Sequence, residues 1–317
     1  MGALKIPGLL AIAIAVVGYT YFSGGYAVTI LSFSLIYAVF VTGLNVFMGL
    51  AGQVSFGQNA FAAISGYSSA VLTANYGWEP LAAFCIGLGG SLSLALIVGY
   101  PVVRLKGHYL AMATLAIGLV IYEVAVQWDN VTGGYMGVSG IPRVGIGPWV
   151  IGSDRAMLVF IAIVTALSIG AAACIKRSRL GRAMQAISGS EEAAQALGID
   201  VNRYKLAAFL ISAVYAAMAG TLFVHLVGFV SPEVFGLHMV ILAFTMLFVG
   251  GIGTTFGPLV GAVIITVLPE VFRELNEYQD MAYGAALILL LIFAPKGLST
   301  LSAVWRPRSA KTTETAT

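Results

Sequence analysis

Three histidines, one acid inside an apolar run and a string of uncharged amides and hydroxyls are the groups in this 317-residue chain that invite a chemical reading. His108, His225 and His238 lie far apart, on different apolar segments, without the short spacing of a metal motif. Each reads as a hydrogen-bonded structural or interfacial histidine. Glu123 is the one acid well inside an expected span. A carboxylate at membrane depth is a functional candidate, whereas one a turn or two from the end of its span simply reaches water. Both readings stand for Glu123. The sequence has no Gly-x-Ser-x-Gly elbow and no paired carboxylates at membrane depth. It also lacks the phosphate loop that ends in Gly-Lys, and the dipeptide Gly-Lys is absent. Catalysis has no visible home, and any ATP used must be bound by another subunit.

The amides and hydroxyls gather in GLAGQVSFGQNAF, Gly49 to Phe61, where Gln53, Ser55, Gln58 and Asn59 stand among three glycines. Between Ile6 and Val103 the only charged residue is Glu79. In hydrocarbon, irregular backbone survives only where protein buries it or where it lines a wet cavity. Uncharged donors and acceptors suit a passage that must not hold its cargo tightly. The plainer alternative is a short turn whose small residues let helices pack closely. GGIGTTFG (250–257) echoes GLAGQVSFG (49–57) with one residue removed, and paired glycine-broken segments can mark the binding region of a repeat-built transporter.

The elements that position these groups follow from composition. The chain is 59% hydrophobic and 9% charged, against about 25% charged in soluble domains. It cannot cover a water-facing surface. Apolar runs of about 20 residues span a bilayer as helices, and the short alternating segments of a barrel are missing. The expected fold is an all-α polytopic membrane protein of about ten helices, near 8–22, 27–50, 56–74, 81–103, 108–127, 156–175, 206–230, 237–251, 257–269 and 281–295. The first run has the look of a signal peptide, but no cleavage site follows it and a retained helix is favoured. Cys85 and Cys174 lie inside apolar runs and read as small buried hydrophobes, not as a disulfide.

Lys and Arg in short loops orient the spans. Arg104 and Lys106 mark one cytoplasmic loop. Segment 176–205, with Lys176, Arg177, Arg179, Arg182, Arg203 and Lys205, marks another. Lys296, Arg306, Arg308 and Lys311 mark the tail, while 269–280 carries one Arg against four acids and is placed outside. These agree if 237–269 crosses twice, with both termini cytoplasmic. Residues 1–305 then form one transmembrane domain with an external loop at 128–155, whose glycines and prolines disfavour regular helix. Residues 306–317 form a disordered cytoplasmic tail.

Within the cytoplasmic segment, Ser188 and Glu191 have capping-box spacing, and Gly198 fits the position just past a helix end. A helix of about two turns, with Ala193 and Leu197 on its outer face and Ala193 and Ala194 small enough to enter a groove, suits docking to a soluble partner. The stretch EAAQALG (Glu192 to Gly198) resembles the coupling loop of bacterial ABC importer permeases, although the later Ile and Leu-Pro of that pattern are missing. GLNVFMGLAGQVSFGQNAF, LKGHYLAMATLAIG, VTGGYMGVSGIP and RSRLGRAMQAI together resemble the LivM-type permease of high-affinity branched-chain amino-acid importers, from about Gly43 to Leu298.

That resemblance implies the ABC importer permease fold in a bacterial inner membrane. It implies a heterodimer with a LivH-type permease, two cytoplasmic ATPases that bind the ATP and Mg, and a periplasmic substrate-binding protein. Glu192, Ala193, Ala194, Leu197 and Gly198 would then meet an ATPase. No cofactor, metal or nucleic-acid partner is expected in this chain. No family motif locates the pathway, so Gln53, Ser55, Gln58, Asn59 and Glu123 stand on their own chemistry. Relatives that import urea or other small polar solutes, a channel and a proton-coupled transporter are the alternatives; the last would need Glu123 to titrate.

Overall fold

A computed structural model describes residues 25–146, 149–271 and 284. The expected spans at 8–22 and 281–295, most of the acidic stretch 269–280 and the tail 306–317 lie outside the described residues. The helices are α1 (Gly25–Asn45, continued by a π-helical turn to Leu50), α2 (Gln58–Ala74), α3 (Pro80–Val102), α4 (His108–Gln127) and α5 (Asp154–Arg177). They continue as α6 (Arg179–Gly189), α7 (Glu191–Ala196), α8 (Val201–Val227), α9 (Leu237–Gly250) and α10 (Gly257–Val271). Among the described residues, six helices are long and apolar enough to cross a membrane. The described helices fall at eight of the ten expected positions, so the count of ten goes beyond what the structure describes.

α1 and α8 form the centre of the bundle. Their polar residues carry their own partners: Ser32 donates to the Val28 carbonyl (2.8 Å) and Thr42 to that of Ala38 (2.6 Å), so the hydroxyls compete little with the helical ladder. α2 packs against α8, and α3 against α2, through glycines. A Cβ on Gly220 would strike the Ala62 backbone, and one on Gly87 would meet the Ser65 carbonyl at 2.8 Å. Close backbone approach of this kind is how small residues hold helices together in lipid. α3, α4 and α5 turn one face outward, which exposes Cys85 and Cys174. The reading of both as buried is corrected: the outer face of a membrane helix is as apolar as its core, so composition does not separate the two.

The ends of the bundle differ in charge. Arg104, Lys106, Lys176, Arg177, Arg179, Arg182 and Arg203 gather where α3 and α5 end and α8 begins. At the opposite end segment 128–155 contains short helical turns at Asp129–Thr132 and Gly134–Met136. β1 (Val138–Ser139) pairs antiparallel with β4 (Phe229–Val230), and β2 (Gly145–Ile146) with β3 (Trp149–Val150). These small strands are additions to the all-α expectation. His225 binds this loop to the core: its Nδ1 lies 2.7 Å from the Pro142 carbonyl, and its Nε2 lies 2.7 Å from Ser69 Oγ.

Candidate functional site

α2 and α9 each fall short of a full crossing as α-helix alone, α9 reaching 19 residues only together with the 3-10 turn Pro232–Phe235 before it, and the segments that lead into them converge. α2 has 17 residues and α9 has 14, roughly 25 and 21 Å at 1.5 Å per residue, against a hydrocarbon core of about 30 Å. Before α2, residues 51–57 leave the basic end as irregular chain. Before α9, residues 231–236 enter from the opposite end. They meet where Asn59 Nδ2 donates to the Phe235 carbonyl (2.8 Å). Gly118, at the midpoint of α4, packs on the Asn59 amide, and Ser91, at the midpoint of α3, donates to the Phe61 carbonyl (2.8 Å). The junction therefore lies at mid-depth.

The unwound backbone at 51–57 finds substitutes for helical partners, as a dry interior demands. Gly52 turns the chain at φ +69°, a conformation open to glycine at little cost. Thr114 Oγ1 accepts from the Phe56 N–H (3.1 Å), and Ser55 Oγ from that of Gly57 (3.4 Å). The Phe56 ring, half-buried, stacks on Phe244 of α9 with centroids 4.5 Å apart. Gln58 is 3% exposed, yet neither its Nε2 nor its Oε1 has a hydrogen-bond partner, and Asn59 Oδ1 is likewise unpaired. An unpaired buried amide is expensive. Tyr67, Ser168, Ser212 and Thr266 also hold unpaired buried oxygens, but only here, among the described residues, do adjacent residues at an irregular break share the feature, which makes it a candidate site.

The sequence-level pathway group thus divides. Ser55, Gln58 and Asn59 share the mid-depth junction. Gln53 sits lower, where its Nε2 donates to Glu191 Oε1 (3.0 Å) and to the Ala51 carbonyl (3.3 Å). Glu123 is not brought to either place: it lies on the exposed face of α4, accepting from Gln127 one turn on. Phe56, Phe235 and Thr114 belong to the junction but carry no signal visible in sequence, being apolar or ordinary in composition.

The two echoing glycine segments also meet. Asn45 Oδ1 accepts from the Gly253 N–H (2.7 Å), and its Nδ2 donates to the Thr254 carbonyl (2.8 Å). Lys176 Nζ donates to the Gly253 carbonyl. A Cβ on Gly49 would come within 2.6 Å of Gly253 N. One segment is therefore the socket of the other, at the basic end.

At the same end α6 and α7 form a hairpin, with a correction to the capping. Ser190, not Ser188, caps α7, its Oγ accepting from the Ala193 N–H (3.2 Å). Ser188 is still within α6, whose apolar face, with Met184 and Ile187 buried, carries that helix through to Gly189. Gly198 has φ +82° and follows the helix as expected. Ala194 is 2% exposed and packs inside the chain, so it is not the outward knob that the alanine run suggests. Glu192, Ala193, Gln195, Ala196 and Leu197 are exposed, the last 81%. A polar groove lies beside them, lined in part by Arg104, Lys106, Glu192 and Gln195.

Of the three histidines, His225 is held between Ser69 and Pro142, while His108 and His238 are exposed. Among the described residues no three metal-binding side chains converge.

Residues 26–294 match the family described as the branched-chain amino acid transport system permease component. The chain is 33% identical over 318 aligned residues to the high-affinity branched-chain amino acid transport system permease protein LivM of Salmonella typhimurium, covering 92% of this chain and 74% of that protein. It is 32% identical to the LivM of Escherichia coli, with the same coverage. To the LivH of Escherichia coli it is 29% identical, over 83% of this chain and 90% of that one. No solved structure matches.

Proposed function

The chain belongs to the family of branched-chain amino acid transport permeases, and from that premise we propose that it is the LivM-type half of a permease pair in an ABC importer for branched-chain amino acids. The observation that carries the reading is the mid-depth junction, where the irregular segment 51–57 and the 3-10 turn Pro232–Phe235 meet around amides with unpaired atoms. Ser55, Gln58 and Asn59 face the solute there, and the pathway runs along the side closed by Phe56 and Phe244. Likeness to LivM and LivH alike supports a partner of the same fold, related by a pseudo-two-fold axis.

The ATPases, with their ATP and Mg, sit at the basic end, and a binding protein delivers solute to the opposite end. The membrane is the bacterial inner membrane. Ten helices place both termini in the cytoplasm, with residues 1–305 as the transmembrane domain and 306–317 as its tail. The outward position of Glu123 does not favour proton coupling through that residue.

Docking falls to the exposed face of α7: Glu192, Ala193 and Leu197, shaped by the Gly198 turn, with Ala194 as the packed inner side. An exposed leucine on a cytoplasmic helix gains by entering a groove, and burying such a side chain contributes about 1.5–3 kcal/mol, roughly 10- to 150-fold in affinity. Leu197→Asp should lower the amount of ATPase that co-purifies by about that factor while the permeases still pair. Recruitment at the wild-type level would remove the docking assignment.

Orientation is tested separately. In a chain with Cys85 and Cys174 replaced by serine, Met136→Cys should react with an impermeant thiol reagent from the periplasm, and Gln195→Cys only from the cytoplasm. Labelling of both from one side would overturn the topology.

A further inference from the structure

The proposed importer needs a mechanical path from the docked helix to the pathway, and three residues sit where α7 touches the broken segment. Lys205, on the second turn of α8, is 2% exposed. Its Nζ contacts Glu191 Oε1, and Glu191 is the first residue of α7. The same oxygen accepts from Gln53 Nε2 at 3.0 Å, and Gln53 begins the unwound stretch that leads to Ser55 and Gln58. One carboxylate oxygen therefore joins the docking helix, a through-going core helix and the broken segment.

We propose that Gln53, Glu191 and Lys205 are positioning residues that transmit displacement of α7 to residues 53–57, and so to the mid-depth junction. The inference rests on the importer reading above. Its physical basis is that Lys205, 2% exposed, has Glu191 as its carboxylate partner at the inner edge of the polar groove that both line. A buried ammonium that loses its carboxylate is left uncompensated, so when α7 moves, Gln53 and Lys205 must follow or be replaced by water. The contact beside them is unyielding. Gly52, at φ +69°, lies so close to α6 that a Cβ there would stand 2.7 Å from Ser188 Oγ and 2.9 Å from Ser188 Cα. No soft layer separates hairpin from break, and close-packed contacts of this kind pass strain on instead of absorbing it. Gly57, Thr114 and Asn59 then connect the break to α4 and to the Phe235 segment.

A purely structural cluster would lower yield and ATPase recruitment together. A transmitting one changes the amount of solute carried per ATP hydrolysed, which is the readout that separates the roles. The double variant Glu191→Met with Lys205→Met removes both charges without stranding either and leaves Gln53 Nε2 only the Ala51 carbonyl. In proteoliposomes holding both permeases and the ATPases, with loaded binding protein and labelled leucine, it should keep wild-type ATPase recruitment. Its uptake per ATP should fall tenfold or more. Gln53→Met keeps the ion pair and cuts only the connection to the break, so the same loss is expected if the double variant does not assemble. Unchanged uptake per ATP in either assembled variant overturns the proposal. Failure of the wild-type chain to recruit any ATPase would instead remove the importer reading.

Discussion

Replacing Gln58 by methionine should make the protein harder to unfold and cut its transport at least tenfold. The amide stands at the first residue of α2, 3% exposed, with neither polar atom paired to protein. Leaving a buried amide unpaired costs about 1–3 kcal/mol, and methionine of similar length fills the space at less than about 1.5 kcal/mol. The net expectation is a gain of about 1 kcal/mol, seen as an upward shift of a few degrees in the thermal melting of the detergent-solubilised chain. Uptake of labelled leucine should fall at least tenfold, with ATPase recruitment unchanged. A variant that loses stability along with uptake would mean that the amide is a structural element with its own support. Transport at the wild-type level would place the pathway elsewhere.

A larger effect on assembly is expected at Gly220. A Cβ on this residue collides with the Ala62 carbonyl oxygen and comes within 2.8 Å of Ala62 Cα. Backbone on both sides cannot swing away as a long side chain would, and beside the contact Ser65 and Thr221 share a hydrogen bond of 2.8 Å. Forcing a methyl into such a place costs about 1–3 kcal/mol, and Gly220→Val adds two more carbons to the same clash. Gly220→Ala should lower the melting temperature of the solubilised chain, and Gly220→Val should abolish the monodisperse peak in size-exclusion chromatography. Gly170→Val, at a glycine with open space around it, is the control and should behave as wild type. A normal peak for Gly220→Val would mean that α2 and α8 are held apart by more than the structure shows.

Spans and the charged end were legible in the sequence because both depend on composition over many residues. The amide-rich break at 53–59 was legible as an anomaly, since glycine and uncharged polar groups within an apolar run are costly in lipid unless protein or water meets them. Its depth was not. Asn59 finds the Phe235 carbonyl 176 residues away, and a backbone oxygen leaves no trace in a residue pattern. Local competition explains the misplaced cap. Ser188 and Ser190 both precede acids, and the choice was decided by the amphipathic run of α6, which continues past Ser188. Ala194 looked like its neighbours because three similar alanines point in different directions around a single turn. Lys205 was counted only as a positive charge near the membrane surface. That Glu191 would draw it into the interior depends on how α7 folds back onto α8, which the spacing of the residues does not express.

The hold of Asn45 on the 253–254 turn has a consequence for how the chain is made. The two partners are 209 residues apart, which at about 5–20 residues per second is on the order of 10–40 s of synthesis. For that interval α1 resides in the bilayer with the amide of Asn45 awaiting its socket, because α10 emerges among the last of the described helices. The contact of Asn45 with the 253–254 turn is therefore among the last that the described helices can form. Ribosomes arrested before Gly251 should carry nascent chains that membrane proteases cut near Asn45, and those released after Val271 should carry chains that resist them.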